Sequence, residues 1–310
     1  IWDVAEGAIW HQEAPYGGVS TLAYHLLHRL AVERGVTVLL EGQGVDETLA
    51  GYTYYWPARY LDILKQGRLA ELRRELRAAP GGGLGLEQAR RLRDGAALEV
   101  YQDGTSHLMP EVTDPEVRAL AGPAPTFPRP FASHLDNALY RDLRFTKLPR
   151  VLRMNDRASM ASSRELRQPF LDHRLVEFLF RLPGAQKMRL GHTKFLLRHA
   201  MKGQLPDTIR LAPKRADVTP QREWLRHQLR DLIEDLIGSR SFTERGLFDP
   251  RSVRAAYKRF CQGEGENAFF IWQWVNAELW FRTFIDRKAG PTLAGGASHA
   301  NRPGEAGTRR

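Results

Sequence analysis

Val36-Thr37-Val38-Leu39-Leu40 is a short β-branched and aliphatic run that stops in Glu41-Gly42-Gln43-Gly44-Val45-Asp46-Glu47. No other stretch of the chain limits the fold as tightly. An apolar run of this length, without alternation, reads as a buried parallel strand. Upstream, Ser20 to Arg34 carries Leu22, Leu26, Leu27 and Leu30 at helical spacing, and Gly35 stands where a helix needs a C-cap. Helix, strand and glycine loop in that order point to an α/β sheet. Open sheets of this kind bind ligands just beyond the carboxyl ends of their strands, so residues 41–47 are where a nucleotide is expected. Gly42 and Gly44 let backbone N–H groups approach it without side-chain clash.

The rest of the chain reads as mainly helical. An Arg-rich helical region runs from about 57 to 102, interrupted by the turn Pro80-Gly81-Gly82-Gly83-Leu84-Gly85. Pro123, Pro125, Pro128 and Pro130 mark a loop. One long helical stretch is predicted from Ser133 to Ser163, with further helices near 172–182, 191–203, 220–238 and 249–262. Asp249-Pro250 supplies an N-cap and a first-turn proline for the last of these. The aromatic segment 267–286, with Phe270, Trp274, Phe281 and Phe284 near one face, reads as a core helix. From about Lys288 onward the composition predicts a disordered tail, 288–310.

Composition removes several function classes. The single cysteine, Cys261, excludes an internal disulfide framework and any multi-thiolate metal site. No apolar run reaches 18 residues, so no membrane span is expected, and a cytoplasmic location fits. The net charge of +10 suits polyanions in general. The arginines are spread out without interleaved aromatics, so nucleic acid is not the expected partner.

Three segments together resemble the synthetase domain of asparagine synthetases and their amide-forming relatives. The first is Leu39 to Glu47, continuing to Ala50-Gly51-Tyr52, which is similar to the family's S-G-E-G-x-D-E-x-x-x-G-Y loop. The second is Asn155-Asp156-Arg157-Ala158-Ser159-Met160-Ala161 followed by Glu165, Arg167 and Pro169-Phe170-Leu171-Asp172, which is similar to D-R-x-S-M-A…E-x-R-x-P-F-L-D. The third is Leu205-Pro206, Ile209, Lys214, Pro220 and Trp224. The resemblance implies residues 1–287 as one domain: the remnant of a parallel-sheet ATP-pyrophosphatase fold (adenine nucleotide alpha hydrolase-like) with a large, mainly helical C-terminal part. It implies an ATP- and Mg2+-dependent ligase of amino-acid biosynthesis. Such an enzyme adenylates a small-molecule or precursor carboxylate and lets ammonia from glutamine attack it, with a glutaminase domain upstream. A homodimer is a further expectation.

By the same resemblance, Glu41, Gly42, Gln43 and Gly44 bind nucleotide, Asp46 holds Mg2+, and Gln43 and Lys214 occupy the catalytic positions. Asp46 reads equally as a cap of the following helix, and Lys214 as one surface lysine among many. Asp156, Arg157, Glu165 and Arg167 are candidates for the substrate pocket. With Asp172 they form a dense charged set that reads also as a salt-bridge network. The departures are specific. The family's serine is Glu41, its glutamate is Gln43, and a glutamine carries neither charge nor base. The third motif has Ala212 for arginine and Ala216-Asp217 for Gly-Phe. The pyrophosphate loop S-G-G-x-D-S and the N-terminal nucleophilic cysteine are expected upstream of Ile1. Pro80 to Gly85 does not replace the one, nor Cys261 the other, so the chain on its own is expected to be inactive. An amide ligase using another amine, as in β-lactam or lasso-peptide ring closure, and a non-catalytic polyanion-binding remnant are the rival readings.

Overall fold

The computed structural model describes residues 2–78, 109–123, 125–213, 220–264 and 268–286. Helices α1 (Trp2–Gln12) and α2 (Ser20–Glu33) lead into strand β1 (Val38–Leu40). The end of α2 follows from Gly35, whose φ of +67° only glycine adopts freely. Its N–H donates to Val32 O and that of Val36 to Ala31 O, which completes a Schellman cap. β1 pairs in parallel with β2 (Glu165–Arg167), with Val38 opposite Glu165 and Leu40 opposite Arg167. Thr37 O accepts from Glu165 N and Glu41 N donates to Arg167 O. Odd-numbered residues therefore turn their main-chain groups toward β2, and Val38 and Leu40 turn theirs to the opposite edge. Among the described residues no other strand pairs there.

β1 is not the buried strand its composition predicts. Leu40 is 72% exposed, and Val36 and the α2 residues Leu26, Leu27 and Leu30 are exposed as well. Among the described residues, a single neighbouring strand leaves the second edge of β1 unpaired.

Beyond β1 come the short helix α3 (Val45–Thr48), α4 (Trp56–Lys65) and α5 (Leu69–Ala78). The predicted helix over 133–163 is two helices, α6 (His134–Arg144) and α7 (Lys147–Met160). Pro149 explains the break: it has no N–H for the carbonyl of Phe145, and its ring collides with that carbonyl in a continuous helix. α6 starts on a buried carboxylate from α4. Asp62 accepts from Ser133 Oγ at 2.7 Å, His134 N at 2.6 Å and Leu135 N at 3.0 Å, where the helix dipole favours an anion. α7 packs against α1, α2, α6 and β2, and so ties the sheet to both cores.

After α8 (His173–Arg181), the helix expected over 191–203 is replaced at its start by a hairpin, β3 (Met188–Arg189) with β4 (His192–Thr193). Leu190 and Gly191 both have positive φ, the conformation of a type I′ turn. Only Phe195–Ala200, α9, is helical. The region 220–238 divides into a short turn, a π-helical turn at Trp224–Gln228 and α10 (Arg230–Gly238). α11 (Pro250–Cys261) starts on Asp249, which accepts from Ser252 N as its sequence suggests. The aromatic α12 (Phe269–Phe281) is a core helix, buried on more than one face through Ile271, Trp272, Trp274, Val275 and Leu279. It centres one core with Ile9, Ile233 and Phe260. A second core gathers Tyr55, Tyr60, Ile63, Leu135, Leu139 and Met188 around α4 and α6. Among the described residues no helix is long and apolar enough to cross a membrane. Pro80 to Gly85, Lys214 and the tail 288–310 lie outside the described residues.

Candidate functional site

The parallel register sets Glu41 and Gln168 side by side, each the first residue past the carboxyl end of its strand. The loop after β1 turns through Gly44, whose φ is +90° and whose missing side chain leaves room for Leu171: a Cβ there would collide with Leu171 Cδ2. Gly44 is thus required by the fold itself. Gly42 differs, since a Cβ added there would meet nothing within 4 Å. Packing does not ask for glycine at 42, whereas a closely approaching ligand does. Gln43 is half-buried between them.

Asp46 and Glu47 open α3 and look in different directions. Lys194 Nζ stands 2.7 Å from Asp46 Oδ1, with both side chains mostly buried. Lys194 takes a left-handed backbone (φ +53°) after β4, and its N–H donates to Leu49 O at 3.2 Å. The hairpin that displaced the expected helix is what delivers this ammonium to Asp46. Gly51 lies against the same carboxylate, and a side chain there would collide with Asp46. Glu47 is only 2% exposed and accepts from Tyr52 OH at 3.0 Å. Burial pushes its carboxyl up, and the Tyr52 hydroxyl opposes that shift. Lys147 Nζ sits 3.4 Å from the centre of the Tyr52 ring, a cation–π contact. Burial pulls that ammonium down, while the charges of Glu47, Asp142 and Asp46 hold it up. Behind them, Asp142 collects the hydroxyls of Tyr54 and Tyr55, each at 2.8 Å.

The charged set of the second motif does not converge on one pocket. Asp156 is exposed on α7. Arg157 reaches Glu13 at 2.9 Å. Glu165 and Arg167 pair with each other along the open face of β2, at 2.7 Å. Asp172 caps α8 by accepting from Arg174 N, and the Arg174 guanidinium holds its carboxyl well below the usual carboxylate range. Local ion pairing describes these residues better than a shared substrate contact. Sequence reasoning gave no site role to Lys194, Asn155, Gln168 or Lys147. Lys194 lies 148 residues from Asp46, and no local pattern marks it.

Comparison with known proteins agrees with the motifs. The model of the asparagine synthase family matches residues 1–282. The chain is 24% identical over 293 residues to the glutamine-hydrolyzing asparagine synthetase 1 of Bacillus subtilis, covering 91% of the chain and 46% of that protein. Against the glutamine-hydrolyzing asparagine synthetase 3 of the same organism it is 48% identical over 59 residues, 19% of the chain and 10% of that protein. It is 24% identical over 299 residues to the amidase chyE of Penicillium rubens, covering 82% of the chain and 43% of that protein. The chain spans about half the length of the curated relatives it matches along most of its length. A family model that runs over nearly all the described residues, on a chain whose strand-end glycine loop carries the expected acidic pair, means that this chain belongs to the asparagine synthase family.

Proposed function

We propose that the loop 41–47 and Lys194 form part of the ATP site of an amide-forming ligase. A carboxylate is activated by adenylation, pyrophosphate leaves, and ammonia derived from glutamine closes the amide. The Asp46–Lys194 pair at the end of a parallel strand carries this reading. Asp46 offers a magnesium ion one hard carboxylate. Among the described residues no cluster of three or more His, Cys, Asp or Glu side chains is placed to hold a metal. Phosphate oxygens must complete such a site, which is how Mg2+ usually binds. Bound Mg2+·ATP supplies an electrophilic phosphorus and a pyrophosphate leaving group.

The chain's own groups do the rest. Gly42 leaves the backbone open to close approach. Lys194 places a cation beside the metal ligand, where negative charge on phosphate collects. Gln43 donates and accepts hydrogen bonds but removes no proton. Lys214 serves the same site as a second cation, and any substrate contact by Asp156, Arg157, Glu165 or Arg167 competes with the ion pairs Arg157–Glu13 and Glu165–Arg167. The carboxylate acceptor is aspartate or a precursor carboxylate, the domain spans 1–287 with 288–310 as a tail, and the reaction takes place in the cytoplasm, in a homodimer served by a glutaminase domain. The exposed apolar residues on α2 and β1 support a larger ATP-pyrophosphatase-type sheet, in which β1 has a second neighbour. Gln43 in place of glutamate, together with fungal relatives named amidases, favours a second reading in which an amine other than ammonia attacks.

Acceptor-dependent exchange of labelled pyrophosphate into ATP, measured with the full-length protein and with Asp46→Asn, tests the site. The expected loss is on the order of 100-fold with an unchanged circular dichroism spectrum. Exchange within about threefold of wild type, less than about 1 kcal/mol of barrier, would make Asp46 a turn residue tied to Lys194. Analysis of the product with ammonia or a primary amine separates the two readings.

A further inference from the structure

Glu41 replaces the serine of the family loop, and the structure supplies this departure with partners. Gln168 Nε2, from the end of β2, donates to Glu41 Oε2 at 3.2 Å. Asn155 Nδ2, from the buried side chain on α7, donates to the same oxygen at 3.1 Å. The backbone is held too, by Glu41 N on Arg167 O at 2.9 Å. Gln168 falls at an open position of the second motif and Asn155 opens it, so the first two motif segments meet at Glu41. The other oxygen, Oε1, is reached among the described residues only by the same Asn155 Nδ2 at 3.5 Å, the limit of a hydrogen bond. One oxygen is clamped, and the other keeps its capacity to accept.

A clamped carboxylate accepts hydrogen bonds and donates none. Beside a nucleotide it repels phosphate and attracts donors. On ATP the donors are the ribose hydroxyls and the adenine amino group. Asp46, at the far end of the same short loop, belongs to the phosphates, and the ribose is the part of the nucleotide that adjoins them. Acidic residues past strand ends read ribose hydroxyls in dinucleotide-binding sheets by the same chemistry.

We propose that Glu41, positioned by Asn155 and Gln168, accepts a hydrogen bond from a ribose hydroxyl of the bound nucleotide and makes this site selective for ribonucleotides. The proposal rests on the nucleotide reading above. It is tested by calorimetric binding of Mg2+·ATP, 2′-deoxy-ATP, 3′-deoxy-ATP and Mg2+·ITP to the full-length protein and to Glu41→Ala, Glu41→Gln and Gln168→Leu. One deoxynucleotide should bind the wild type about tenfold or more weakly than ATP, the usual range for a hydrogen bond to a charged group. That gap should close to about twofold or less in Glu41→Ala, through loss of ATP affinity, and narrow in the other two variants. Glu41→Gln keeps the size of the side chain and guards against a misfolded alanine variant. If the gap persists in both Glu41 variants, or if they change only ATP against ITP, Glu41 does not read the ribose. Equal binding of ATP and both deoxynucleotides by the wild type overturns this inference alone. No binding of any of them overturns the nucleotide reading with it.

Discussion

Replacing His25 with leucine should flatten the acid side of the stability profile. His25 lies on α2, 6% exposed, with its ring 6.4 Å from that of His11 and with His28 one turn further along. Its Nε2 finds no hydrogen-bond partner among the described residues. Burial, and then the neighbouring His11 and His28, pull its pKa from 6.5 down to about 4. The native state therefore keeps this imidazole neutral, while the unfolded chain protonates it near 6.5. Unfolding takes up a proton wherever the pH lies between the two values, so stability present above about 6.5 is lost as the pH falls toward about 4. At pH 5 the unfolded state is about 97% protonated at this site and the native state about 9%, which corresponds to a loss of about 2 kcal/mol relative to pH 7.5. Urea unfolding of wild type and His25→Leu, followed by tryptophan fluorescence at both pH values, reads the difference directly. The variant should retain about 2 kcal/mol more of its pH 7.5 stability at pH 5 than wild type does. Parallel losses in the two proteins would mean that His25 is solvated or already paired, and would refute the argument from burial.

Gly44→Ala should cost about 2 kcal/mol or more in chemical denaturation, because a side chain there meets both a φ of +90° and Leu171. Glu278→Ala should cost about 3 kcal/mol in the same assay. It strips a carboxylate only 1% exposed from Arg245 and Arg282, and a milder loss would mean that the arginines find solvent. Lys214→Ala should leave the melting temperature nearly unchanged, within about 0.5 kcal/mol of stability, while turnover falls on the order of 100-fold. Normal turnover would remove Lys214 from the site.

The sequence by itself determined what short-range chemistry encodes. Gly35 ends α2 because it adopts the left-handed conformation the Schellman cap needs, Asp249-Pro250 starts α11, and apolar content marks α12 as core. The glycine loop at the end of β1 and its acidic pair were legible for the same reason: backbone freedom and carboxylate chemistry belong to single residues. Pro149 carried a legible break that helical periodicity concealed. Other features were decided only by tertiary structure. The second motif looks like one charged cluster in the sequence. Yet strand pleat, the cap of α8 and the proximity of α1 divide it into the pairs Arg157–Glu13, Glu165–Arg167 and Asp172–Arg174. The parallel register brings Gln168 and Asn155 onto Glu41, and a type I′ turn at Leu190-Gly191 carries Lys194 to Asp46. No propensity or period predicts these contacts. Which carboxylate meets which cation or amide across 114 to 148 residues depends on how strands align and which faces are buried, and those are properties of the whole packed chain.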